Sequence, residues 1–121
     1  MIKLVFNIRR RDDVEAAEFH RYWKDEHGPL VRSVAADIGV VRYVQSHTID
    51  SPINDVLQAS RGTQPSYDGV AELWWESMDS FVAAQSPEAQ AAAATLLEDE
   101  ARFIDFASAT IFFTEEHEII A

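Results

Sequence analysis

Tyr67-Asp68-Gly69-Val70-Ala71-Glu72-Leu73-Trp74-Trp75-Glu76 reads as a strand that is apolar on both sides. Side chains on a strand alternate between the two faces of the sheet. Val70 and Trp74 therefore share one face, and Ala71, Leu73 and Trp75 the other. The same holds for Leu4, Phe6 and Ile8 against Val5 near the start, and for Ile111 and Phe113 against Phe112 near the end. An antiparallel sheet covered by helices on one side ordinarily turns a polar face to water. A face this apolar left in solvent is an unusually large patch. Two such sheets closing on each other would bury it, so the strands predict a homodimer with a barrel formed between the subunits.

Working outward from that strand, Ile2–Ile8 is a first strand of β-forming residues, polar only at Lys3 and Asn7. Asp12 or Asp13 is placed to cap a helix that runs to about Glu26, and a second helical piece spans Pro29 to about Asp37. Gly39 then opens a second strand over 40–49, with Val41, Tyr43, Gln45 and His47 on one side. Asp50–Ser66 carries Pro52, Asn54, Gly62 and Pro65 and reads as a long connection, a lid or an oligomer arm, with a short helix over Ile53–Ser60. Met78–Gln85 is a short helix. Ser86-Pro87-Glu88 starts an Ala-rich helix reaching about Phe103, with cap, proline and acid in the expected order. Phe106–Glu116 is the fourth strand. The order β-α-β-β-α-β over residues 1–121 predicts one α+β domain, a ferredoxin-like sandwich that forms a dimeric α+β barrel.

Composition removes several kinds of function. The chain has no cysteine, which excludes disulfides, thiolate nucleophiles and Cys-ligated metals. Ten Lys and Arg against 21 Asp and Glu leave a net charge of −11, which repels nucleic-acid phosphates and anionic membranes. Even the basic run Arg9-Arg10-Arg11 is answered at once by Asp12-Asp13. No apolar run approaches the ~20 residues that cross a bilayer. The opening residues do not read as a secretory leader, so a cytoplasmic protein is expected.

Little else in the chain looks chemical apart from Glu18-Phe19-His20-Arg21-Tyr22-Trp23-Lys24-Asp25-Glu26-His27-Gly28-Pro29-Leu30. Gly28 suits the left-handed end of one helix and Pro29 the first turn of the next. His27 is then held at a junction, where the positive end of the following helix favours the neutral imidazole. It is the candidate acid or base, and a junction histidine bonded to a carbonyl is the competing reading. Tyr22 and Trp23 occupy adjacent helix positions and cannot share a face, so Trp23 is assigned to packing and Tyr22 to the pocket. Tyr43 and Tyr67 are candidates to orient a ligand carbonyl or phenol. Trp74 is a candidate pocket floor, since only one of Trp74 and Trp75 can face the helices. Asp68 either closes a turn on its own backbone or orients a histidine. The polar second strand is either solvated or a pocket wall. His20 and His27 lie two helical turns apart, ~10 Å, too far for one metal, and no metal-ligand spacing occurs.

Phe19-His20-Arg21-Tyr22-Trp23 with His27-Gly28-Pro29-Leu30, Tyr67–Trp74, Ser86-Pro87-Glu88 and Asp99-Glu100-Ala101-Arg102-Phe103-Ile104-Asp105 together resemble the EthD family. The likeness runs from Ile2 to about Glu118. It implies the dimeric α+β barrel superfamily, whose members include polyketide cyclases and dehydratases, muconolactone-type isomerases, cofactor-free quinone-forming monooxygenases and haem-degrading enzymes. It also implies a pocket between helices and sheet with His27 on its wall. Asn7 with a strand tryptophan is similar to the haem-degrading relatives, but Met78–Phe103 holds no histidine to ligate iron. The expectation is a small enzyme without cofactor or metal, moving a proton on an apolar, aromatic or polyketide-like molecule. A non-catalytic protein sheltering a hydrophobic intermediate is the alternative.

Overall fold

The computed structural model describes residues 1–121. Four strands, β1 (Ile2–Ile8), β2 (Arg42–His47), β3 (Gly69–Trp75) and β4 (Thr110–Thr114), form one antiparallel sheet in the order β2-β3-β1-β4. Two helical segments, α1 (Ala16–Tyr22) and α2 (Gly28–Ile38), join β1 to β2. The short α3 (Pro52–Arg61) lies between β2 and β3, and α4 (Met78–Ala83) and α5 (Pro87–Glu100) join β3 to β4. This is the ferredoxin-like α+β sandwich.

Register sorts the sheet into two faces. Phe6 pairs with Ala71 and Ile111, Leu4 with Leu73 and Phe113, and Tyr43 with Leu73, all on the helix side. Ile8, Phe19, Trp23, Ala71, Phe103 and Ile104 form the main core there. Trp23 lies flat on β3: a Cβ at Gly69 would come within 2.3 Å of its ring. Only glycine fits beneath that indole.

The opposite face is less apolar than the strand pattern predicts. Val5, Val44, Val70, Trp74 and Phe112 share it with Lys3, Glu72 and Arg42. Lys3 Nζ pairs with Glu72 at 2.8 Å, and the Lys3 and Arg42 cations stand 5.5 and 4.4 Å from the Trp74 ring centre. Phe112, on the edge strand β4, remains 49% exposed.

Three local expectations are corrected. Asp12 and Asp13 cap nothing: α1 begins after Glu15, and Asp13 is held by Arg11 instead. The first helix does not break at His27. Trp23–His27 is a π turn leading directly into α2, and Gly28 is right-handed at φ −55°. Phe106 lies in a 3-10 turn rather than in β4, because the chain must first cross back to the sheet edge. The short helix expected within Asp50–Ser66 is present as α3, capped by Ser51, with no buried residue and with Ile53, Val56 and Leu57 exposed.

Candidate functional site

The π turn sets the geometry around His27. Five residues on a regular α-helix are about 140° apart around the axis, which would aim Tyr22 and His27 in different directions. The wider turn, closed by the Gly28 N–H donating to the Trp23 carbonyl, brings both to one carboxylate. Tyr22 Oη donates to Asp99 Oδ1 at 2.5 Å, and His27 Nδ1 lies 2.7 Å from Asp99 Oδ2. Single π turns of this kind recur at functional sites.

Asp99 comes from α5, whose buried positions Ala89, Ala92 and Leu96 continue at helical spacing into Asp99 and then Phe103. A carboxylate on that apolar stripe must be satisfied, and Tyr22 and His27 satisfy it. A carboxylate only accepts, so His27 Nδ1 carries the proton and Nε2 the free lone pair. His27 is 4% exposed. Burial pushes its pKa down more strongly than Asp99 pulls it up, so the ring is neutral. Burial, not the expected helix N-terminus, sets this neutral state, since the helix runs on without a break through His27. Tyr22 is pushed up to about 12 by its bond to Asp99 and remains a phenol.

His27 lines a hollow of about 40 Å³ between helices and sheet, room for water rather than for a ring. Tyr43 and Glu100 share it. Burial pushes the Glu100 carboxyl up to about 7, with Asp99 adding to the shift. Tyr43 is pushed up to about 12 by burial, and its Oη accepts from Gln45 Nε2 at 2.8 Å. Phe6, Leu73, Leu96 and Glu100 also line an apolar cleft of about 300 Å³ under α4 and α5. Trp75, with its indole N–H on the Ile38 carbonyl, walls that cleft. Glu100 thus stands where the inner hollow meets a space large enough for a small molecule.

The candidates do not all converge. His27 and Tyr43 line this hollow, and Tyr22 meets His27 only through Asp99. Trp74 lies on the far sheet face, bonded to Glu116, and the tryptophan on the helix side is Trp75. Tyr67 and Asp68 lie across the core from it. The Arg9 guanidinium stacks on the Tyr67 ring at 4.1 Å, and Asp68 accepts from the Arg10 N–H at 2.8 Å. Both border a separate polar cleft of about 730 Å³ beside α3 and His20. Asp99 and Glu100 carried no role in the sequence reading. Their signal was there: acidic residues where the buried stripe of an Ala-rich helix passes.

A second imidazole pair was also unforeseen. His47 Nε2 donates to Gln45 Oε1 at 2.8 Å, which leaves His47 Nδ1 to accept from His20 Nδ1 at 2.7 Å. No three His, Asp or Glu side chains converge in a way that could hold a metal ion.

The fold is that of a ferredoxin-like α+β domain. The family model for the EthD domain matches residues 11–107, and the chain belongs to the EthD family. Its fold is similar to that of an EthD family protein of Bacillus halodurans, with 19% identity over 97% of this chain and 99% of that one and a TM-score of 0.62. An EthD-like protein of Ralstonia eutropha is 18% identical over 94% and 89%, with a TM-score of 0.62. A dimeric ferredoxin-like protein of unknown function from Bacteroides fragilis is 14% identical over 95% of each, with a TM-score of 0.58. No curated protein matches the sequence. No helix is long and apolar enough to cross a membrane.

Proposed function

We propose that the chain is a cofactor-independent enzyme that moves a proton on a mainly apolar, aromatic or polyketide-like small molecule, acting as a homodimer. The Asp99–His27 pair carries this reading. A neutral imidazole with Nδ1–H fixed on a carboxylate offers Nε2 as a base, and its conjugate acid is stabilised by the same carboxylate. Glu100 complements it. Held near 7, this carboxyl is partly protonated at neutral pH and can return a proton, so base and acid face one hollow in opposite states. The apolar cleft receives the body of the substrate, and displacement of Phe6, Leu73 or Leu96 admits its reacting end to His27. Cyclisation, dehydration, isomerisation and lyase cleavage can each use such a base and acid. A cofactor-free monooxygenase needs only the base, with the substrate anion meeting oxygen directly.

The homodimer is supported by the half-apolar outer sheet face and by the dimeric state of the Bacteroides fragilis neighbour. The small size of the inner hollow favours a second reading, an accessory protein that holds a hydrophobic intermediate in the outer cleft without turning it over.

Exchange of α-protons tests the two. Aromatic ketones and lactones in D2O are followed by NMR with the wild type and with His27→Ala. Catalysed exchange that the variant loses while remaining folded supports the enzyme. Saturable binding without exchange favours the accessory protein.

A further inference from the structure

The exposed edge of β2 carries a feature that the chemistry above does not use. A groove of about 440 Å³ runs between α2 and that edge, and its charged lining is Lys24, Arg32 and Arg42, with no Asp or Glu. None of the three has a carboxylate within 4.0 Å, whereas Lys3, Arg10, Arg11, Arg21 and Arg102 all do. Arg9 and Arg61 also lack one, but only here do three such cations line one groove, and the nearest charge acting on Arg42 is the more distant Glu116.

The groove is built as a site. Arg42 closes the groove's rim at the strand edge, with its guanidinium turned over the Trp74 ring on the far sheet face at 4.4 Å. Gln45 lies in the wall with its amide already oriented by the Trp23 carbonyl at 2.7 Å. Gly28 leaves space there: a Cβ would press within 3.3 Å of the Gln45 amide. Val31 and Tyr43 form a wall common to the groove and the His27 hollow.

We infer that this groove binds the carboxylate of a planar organic acid, placing an anionic end of the ligand on the α2 side of the His27 hollow. Guanidinium groups present paired N–H donors that match a carboxylate, and Lys24 adds a point charge. The volume suits a small molecule rather than a bare ion. As a statement about the substrate this rests on the proton-transfer reading; as a binding site it stands on the groove alone.

The test compares 2-naphthoate with its neutral isostere 2-naphthamide, by NMR titration of the wild type and of a Lys24→Gln, Arg32→Gln double variant. Both replaced residues are exposed, so the fold is left intact. The expected result is a preference for the acid of at least about tenfold, shifts at Arg42 and Gln45, and weakening with added salt. The double variant loses the preference and binds the amide as before. Equal affinity for acid and amide, an unchanged preference in the variant, or equally tight binding of inorganic phosphate overturns the proposal. His27→Ala retains naphthoate binding, so failure of the proton-transfer reading is seen in the exchange assay alone.

Discussion

Asp99 Oδ2 lies 2.7 Å from Nδ1 of His27, joining the helix after β1 to the helix after β3 at the one point where both turn polar toward the core. The same carboxylate holds Tyr22, so one side chain fixes the base, its tautomer and its neighbour. Asp99→Asn keeps the size but offers an amide N–H in place of an acceptor. The proposed exchange activity is expected to fall by on the order of 10²–10⁴ with the fold retained. Comparing exchange rates with the circular dichroism of the same sample checks it.

His27 also makes stability depend on pH. Its folded pKa is depressed by burial, while the unfolded ring titrates near its ordinary 6.5. Below 6.5 the unfolded chain binds the extra proton, so stability is full above that value and declines as pH falls. Urea unfolding at neutral pH and at about pH 5 should show this decline, and His27→Gln should flatten it.

Glu100 acts in the opposite direction. Its folded carboxyl titrates near 7 against an ordinary 4.5, so the fold binds more protons than the unfolded chain between those values and loses stability as pH rises through them. The deficit at alkaline pH reaches up to about 3 kcal/mol. Glu100→Gln is expected to raise the unfolding temperature at about pH 8 and to change it little at about pH 4.5, while lowering turnover. A variant no more stable than wild type in alkali would show that the carboxyl is not desolvated.

Gly69→Ala puts a methyl group into the Trp23 ring, whose nearest atoms would lie at 2.3 and 2.6 Å. Overpacking of this kind costs about 1–3 kcal/mol. Chemical denaturation gives the loss, and a shift in Trp23 fluorescence identifies where it arises.

Phe112 sits on the edge strand β4 of the outer sheet face, beside Val5. If that face joins two copies, Phe112→Asp places a charge in the interface and yields a folded single chain. Sedimentation velocity of wild type and variant at matched concentration decides this, and an unchanged size for the variant removes the sheet face as the interface.

The four strands and the cap at Ser86 were legible because alternation and proline act locally. Trp23 was rightly assigned to packing. The site was legible only in part. Helical spacing separates Tyr22 from His27, and nothing local announces the π turn that reunites them. Asp99 and Glu100 look like surface acids on an Ala-rich helix until the sheet beneath α5 makes one side of it interior. Trp74 and Trp75 occupy opposite faces whichever way the strand is turned, so their assignment waited on which face the helices cover.

The wide turn at Trp23–His27 lets the two halves of one long helix be aimed separately, Phe19 and Trp23 at one end, His27 and Val31 at the other. Loss of a single codon there would leave the strands, the interior and nearly all of the composition as they are, yet would swing the imidazole off its carboxylate. The proposed reactivity hangs on how many residues the helix contains, and a one-step change of length re-aims the imidazole without rebuilding the scaffold.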